Sequence, residues 1–260
     1  MSQYNGILDL FHADLARATE LLELTVRFRA FAGSAPNSDG TSGVHQWPEV
    51  ESLAEIAPQV RTDLPILSGS ILLYLCGRFE NFVRELVVAV GDDHAARATN
   101  YNDLPDVIRK EIYSRTLDIA KSPSKYSYDQ RGAEQLVATL ADSLRSTNVS
   151  AVTINAELLA ITESNMHSRM VSDIHKRIGI DGVWREVGKQ APLKTYLGLA
   201  EDGQCTAKAM AKLDDIMKER NGVAHPTSST TFPDPDKVKE YVDFFRMLSR
   251  VLVDVVSVPR

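Results

Sequence analysis

Cysteine is nearly missing from the chain: Cys76 and Cys205 are the only two in 260 residues. One lies in an apolar helical stretch and the other in a polar one, so neither a disulfide framework nor a zinc-ligand spacing is available. Apolar runs long enough to cross a bilayer are missing too. The N-terminal stretch, with Asp9, His12 and Asp14 spread through it, lacks the basic-then-apolar plan of a signal peptide, and a cytoplasmic protein is the expectation. The 14 glycines are scattered without a Walker or dinucleotide pattern, which excludes nucleotide hydrolysis on a phosphate loop. An excess of positive charge is lacking as well: 29 Lys and Arg against 35 Asp and Glu give a net charge of −6. A protein that coats nucleic acid draws its binding from many phosphate contacts, so that class is excluded, although a local basic cleft is not. Residues 164–194 carry six Lys and Arg against three acids.

What the chain does have is helical periodicity almost throughout. Ile7, Phe11, Leu15, Ala18, Leu22 and Thr25 return to one face every three or four residues. A loop rich in Ser, Gly, Asn and Pro is expected over 33–43, and a short helix over 49–57. The central helix is expected over 64–90, because 71–76 is apolar on every side and the stripe then narrows to Phe79, Phe82, Val83, Leu86 and Val90. Further helices fit 104–121, 132–145, 165–177 and 206–220, with an unassigned stretch over 147–161. The last helix has the clearest signals: Asp234 to cap it, Pro235 at its first position, and the buried stripe Val238, Tyr241, Val242, Phe245, Leu248, Leu252 and Val255. The fold class is therefore all-α, an up-and-down helical bundle with additional helices. The expected layout is one domain over 1–260: an N-terminal helix and loop (1–63), then a bundle over about 64–258 with a helical insertion over about 100–200.

The chemistry sits at 219–225. Stepping on from the apolar stripe Met210, Leu213, Ile216 and Met217 lands on Arg220, a guanidinium where an apolar side chain belongs. Burying that charge alone is costly, so it should meet a carboxylate, a carbonyl or a phosphate; an arginine that snorkels at a helix end is the plainer reading. Asn221 and Gly222 are the residues that best close a helix, and a break there would let Arg220 and His225 share one cleft. Arg beside His suits RNA cleavage without metal. An imidazole can take the 2′-hydroxyl proton or protonate the leaving oxygen, while a guanidinium holds the phosphate. No metal or other cofactor is called for.

Glu219-Arg-Asn-Gly-Val-Ala-His225 resembles the signature of HEPN domains, an Arg followed by a polar residue and then, after four to six intervening residues, a His near a helix end. Arg78-Phe-Glu-Asn-Phe-Val-Arg-Glu-Leu86 is similar to a stretch in a HEPN subgroup found near RNA-repair and bacterial defence genes, as are Leu104-Pro105 and Gly179-Ile-Asp-Gly-Val-Trp184. The resemblance implies a homodimeric endoribonuclease with a composite active site, acting as a toxin or antiviral effector under an inhibitory antitoxin or defence-system partner. Carried over by position, Arg220 and His225 are catalytic, Asn221 orients the loop or contacts RNA, and Glu80 is a supporting residue. Glu80 has two readings: a carboxylate orienting Arg220 or His225, or an intrahelical pair with Arg84. Members controlled by a nucleotidyltransferase antitoxin carry a Tyr two residues after the His, where Thr227 stands here. His167 and His175 are too far apart for a metal pair and read as ordinary surface histidines, or, with Arg169 and Lys176, as the lining of an RNA cleft. The competing function is a noncatalytic HEPN module that binds RNA or a protein, for which a His225 sealed in the core is the expected mark; a third is an antitoxin or scaffold sharing the bundle.

Overall fold

A computed structural model describes residues 3–33, 48–145, 152–227 and 229–258. Its helices are α1 (Gln3–Ala32), α2 (Pro48–Val60), α3 (Leu64–Arg97), α4 (Asp106–Lys121), α5 (Gln130–Arg145), α6 (Ser168–Lys176), α7 (Val183–Gly188), α8 (Ala191–Leu197), α9 (Asp202–Ala224) and α10 (Pro235–Val256). No strand occurs among the described residues, so the all-α expectation holds. The 33–43 loop and the start of the unassigned 147–161 stretch lie outside the described residues for most of their length; the latter ends in a 3-10 turn at Ala156–Ala160.

The chain forms two compact units. One comprises Met1–Phe11, Phe79–Met217 and Met247–Arg260, the other His12–Arg78 and Lys218–Arg246; α1, α3, α9 and α10 each contribute a segment to both.

In the larger unit, Phe11 stacks on Phe82 with ring centroids 5.0 Å apart, beside a buried Phe79. α4 packs on α5 and on the 3-10 turn before residue 161. Polar groups tie down α6 and α7. Asp214 of α9 accepts the backbone N–H and the hydroxyl of Ser168, both at 2.7 Å, and so supplies the free amide end of α6 with an acceptor. The Trp184 indole donates to the Ser168 carbonyl at 2.8 Å. Gly179 and Gly182 sit at φ +84° and +73°, conformations that glycine adopts without strain, and they turn the chain so that Trp184 is buried. This accounts physically for Gly179-Ile-Asp-Gly-Val-Trp184. Helices α7 and α8 are too short to show a periodic stripe, and sequence reading did not separate them.

In the smaller unit, α1, α3, α9 and α10 contribute the buried residues Leu15, Leu22, Leu72, Leu75, Val223, Val238 and Phe244. Asp14, only 4% exposed, accepts from Tyr74 at 2.8 Å, from Arg17 at 2.8 Å and from Arg78, which joins α1 to α3. Burial alone would raise the Asp14 carboxyl, but these hydrogen bonds outweigh it and hold it below the ordinary carboxylate range. Asp14→Asn is expected to cost about 2 kcal/mol, a value kept modest because both arginines reach solvent. The folded value lies below the unfolded one, so this stability is present at neutral pH and lost as pH falls through the folded value. The wild-type advantage in urea melts should accordingly shrink below about pH 4. An advantage that is unchanged at acid pH would show that the carboxylate form is not what stabilises the fold.

Candidate active site at the end of the ninth helix

Asn221 opens the last turn of α9, Arg220 stands just before that turn, and His225 is the first residue past the helix. The expected break at Asn221–Gly222 does not occur. Gly222 is helical, and the His225 amide donates to the Asn221 carbonyl at 3.1 Å, so the helical hydrogen bonding reaches His225 itself. Two features carry the helix through the glycine. Val223 is buried, which rewards another turn with packing, and the first residue that cannot extend the pattern is Pro226, whose ring lacks the N–H and disfavours helix at the residue before it.

This helix end is anchored on two sides. At Gly69 of α3, a Cβ would lie 2.6 Å from the Phe232 ring and 3.1 Å from Val223, so the missing side chain is what lets the segment after His225 approach α3. That segment is also fixed where it enters α10. Asp234 accepts the Asp236 amide at 3.1 Å, as the cap read from sequence requires, and pairs with Arg29 of α1 at 2.7 Å. Glu219, next to Arg220, accepts from Lys237 at 2.9 Å and from the hydroxyl of buried Tyr241, both on α10. Sequence reading missed Glu219, Lys237 and Tyr241. The available signal was Tyr241 within an otherwise apolar stripe, since a buried tyrosine hydroxyl finds a partner.

Arg220 is half-buried and donates to the side-chain carbonyl of Asn221 at 3.2 Å, while His225 and Asn221 are exposed. A guanidinium that reaches solvent at a helix end matches the plainer reading of Arg220, an arginine that snorkels there, with a neighbouring side-chain carbonyl as its partner. At about 100° per residue, a helix unbroken to His225 separates positions 220 and 225 by roughly 140°. The two side chains therefore leave different faces of α9 rather than sharing one.

Glu80 belongs to the larger unit. It pairs with Arg84 at 2.9 Å and accepts the Thr162 hydroxyl at 3.4 Å, all within the larger unit, in accord with the intrahelical reading. The expected cluster of His167, Arg169, His175 and Lys176 is corrected. His175 is fully buried with Nδ1 2.8 Å from the Val171 carbonyl, and His167 caps α6 by accepting the Met170 amide. The basic span is also partly neutralised from within: Arg177 meets Glu111, Arg169 meets Asp173, Lys189 meets Glu186 and Lys194 meets Asp202. Among the described residues, no three His, Cys, Asp and Glu side chains are grouped to hold a metal ion, and no helix is long and apolar enough to cross a membrane.

An all-helical chain whose penultimate helix ends in Arg-Asn-x-x-x-His is of the HEPN class. The family described as RiboL-PSP-HEPN matches residues 48–258, most of the chain, and the protein belongs to that family. The match takes in α2, which sequence reading had left with the N-terminal addition. Membership points to a nuclease or RNA-related function. No curated protein and no solved structure matches the chain.

Proposed function

We propose that the protein is a cytoplasmic, metal-independent endoribonuclease in which Arg220 and His225 carry the chemistry and Asn221 orients the guanidinium. The observation that carries this reading is an exposed His225 immediately beyond a helix end that presents Arg220, in a chain of the HEPN family. A His225 sealed in the core is the mark of the noncatalytic alternative, whereas the enzyme calls for two-fold related copies with His225 exposed in a positive groove; in the single chain His225 is exposed.

In the proposed reaction, the 2′-oxygen of RNA attacks the adjacent phosphorus while an imidazole takes the hydroxyl proton. The bond to the 5′-oxygen breaks, and that oxygen leaves with a proton donated by an imidazolium. Arg220 meets the non-bridging oxygens and offsets the charge that grows on them. The products are a 2′,3′-cyclic phosphate and a 5′-hydroxyl. With the two positions roughly 140° apart, the reaction requires a cleft completed by a second copy of the chain, in which the Arg of one copy serves the His of the other; a protein that stays monomeric would remove the basis of this reading. A toxin or antiviral role, held in check by an inhibitory partner, fits such an enzyme.

The test is incubation of the purified protein with transfer RNA and total RNA, with and without EDTA. Expected are new 5′ ends that accept phosphate without prior treatment, 3′ ends blocked until the cyclic phosphate is opened and removed, and an unchanged rate in chelator. Cuts leaving a 5′-phosphate, or a reaction that EDTA abolishes, would refute the mechanism.

A further inference from the structure

Arg220 and His225 stand about 1.4 turns apart at the end of α9, and a rotation of that end about the helix axis moves both. We infer that Glu219, gripped by Lys237 and Tyr241 of α10, is a positioning residue that fixes this rotation; the inference rests on the ribonuclease reading above.

Lys237 and Tyr241 are four residues apart, hence on one face of α10, and both reach the same carboxylate. Two donors from one rigid helix converge on one acceptor, which restrains α9 against rotation as well as displacement. With the Glu219 direction fixed, Arg220 follows at about 100° and His225 at about 240° around the axis. Val223, one turn beyond Glu219, is seated against the position of Gly69 and prevents the turn from fraying. The grip has a second effect. Glu219 is the acid nearest in sequence to Arg220, and with its oxygens committed to Lys237 and Tyr241, the guanidinium is left to the neutral carbonyl of Asn221. A neutral partner can be exchanged for a phosphate more readily than a carboxylate can.

Glu219→Ala, Tyr241→Phe and the double variant test this on the full chain. Glu219→Ala is expected to lower kcat for RNA about 10- to 100-fold, the scale of a catalytic group displaced by about an ångström, with KM changed much less. Tyr241→Phe should have a smaller effect in the same sense, and the double variant should lose no more than Glu219→Ala alone, because both changes break the same grip. Glu219→Gln, which can still accept from Tyr241, should recover part of the rate. Losses that multiply in the double variant, or a kcat unchanged in Glu219→Ala, would overturn the assignment.

Hydrogen exchange separates failure of this inference from failure of the enzyme reading. The amides of residues 221–225 should exchange faster in Glu219→Ala than in the wild type, while those in the middle of α3 stay as they were. If RNA cleavage proves identical in the wild type and His225→Ala, the ribonuclease reading fails and the exchange data alone judge the grip. Unchanged exchange at 221–225 would then dismiss it.

Discussion

His225→Ala is expected to reduce the rate of RNA cleavage by about 10³-fold, the middle of the range for a group that moves a proton in the transition state. Arg220→Ala should cost about 10²- to 10³-fold, as removing one preorganised donor to a developing oxyanion does. Arg220→Lys should recover little, because a compact ammonium cannot present the parallel N–H pair that a phosphate accepts from a guanidinium. Combining His225→Ala with Arg220→Ala should lose scarcely more than His225→Ala alone, since groups that act in one step are not additive. His225 is exposed and Arg220 half-exposed with a neighbour on its own helix, so helical circular dichroism and the melting midpoint should stay close to those of the wild type. Full activity in both single variants would remove the assignment. A midpoint falling along with the rate would instead trace the loss to the fold.

The largest structural effect is expected at Gly188, where α7 ends against the start of α9. A Cβ there would stand 2.0 Å from the Thr206 hydroxyl oxygen and 2.7 Å from the Asp202 carbonyl. The first obstacle is a side chain, but it is held: Thr206 donates to the Trp184 carbonyl at 3.1 Å. The second is backbone in the opening turn of α9 and cannot rotate away. Gly188→Ala is therefore expected to cost about 3 kcal/mol, at the upper end for overpacking, although alanine is the better helix former. Thr206→Ala in the same chain removes the nearer clash and leaves the one with Asp202, so it should restore part of the loss. Equilibrium urea unfolding of the two single variants and the double variant measures this. A Gly188→Ala protein as stable as the wild type would mean that α7 and α9 can separate at no cost.

The long elements were legible in the sequence because their stripes repeat over many turns. Phe11, Leu15, Ala18 and Leu22 are buried as read, and so is the α10 stripe from Val238 to Val255. The boundaries were harder. The sequence pattern of the last helix begins at Pro235 because capping is local, whereas α9 runs past Asn221–Gly222 because Val223 finds a seat at Gly69, 154 positions earlier in the chain. Helices α7 and α8 span only 6 and 7 residues, less than two helical turns, so no stripe can establish itself. The same distinction applies to the site. Arg220 and His225 stand out as chemistry-bearing residues at a helix end. Nothing local in Glu219 says that its partners lie in another helix, and nothing local in His175 says that it is fully buried.

The internal pairing of the 164–194 cations has a kinetic consequence. With Arg177, Lys189 and Lys194 tied to nearby acids, and the whole chain carrying −6, no wide attractive field draws polyanions toward the protein from a distance. At long range the net charge repels a polyanion, so encounters should be slow at low salt and quicken as ionic strength screens the repulsion.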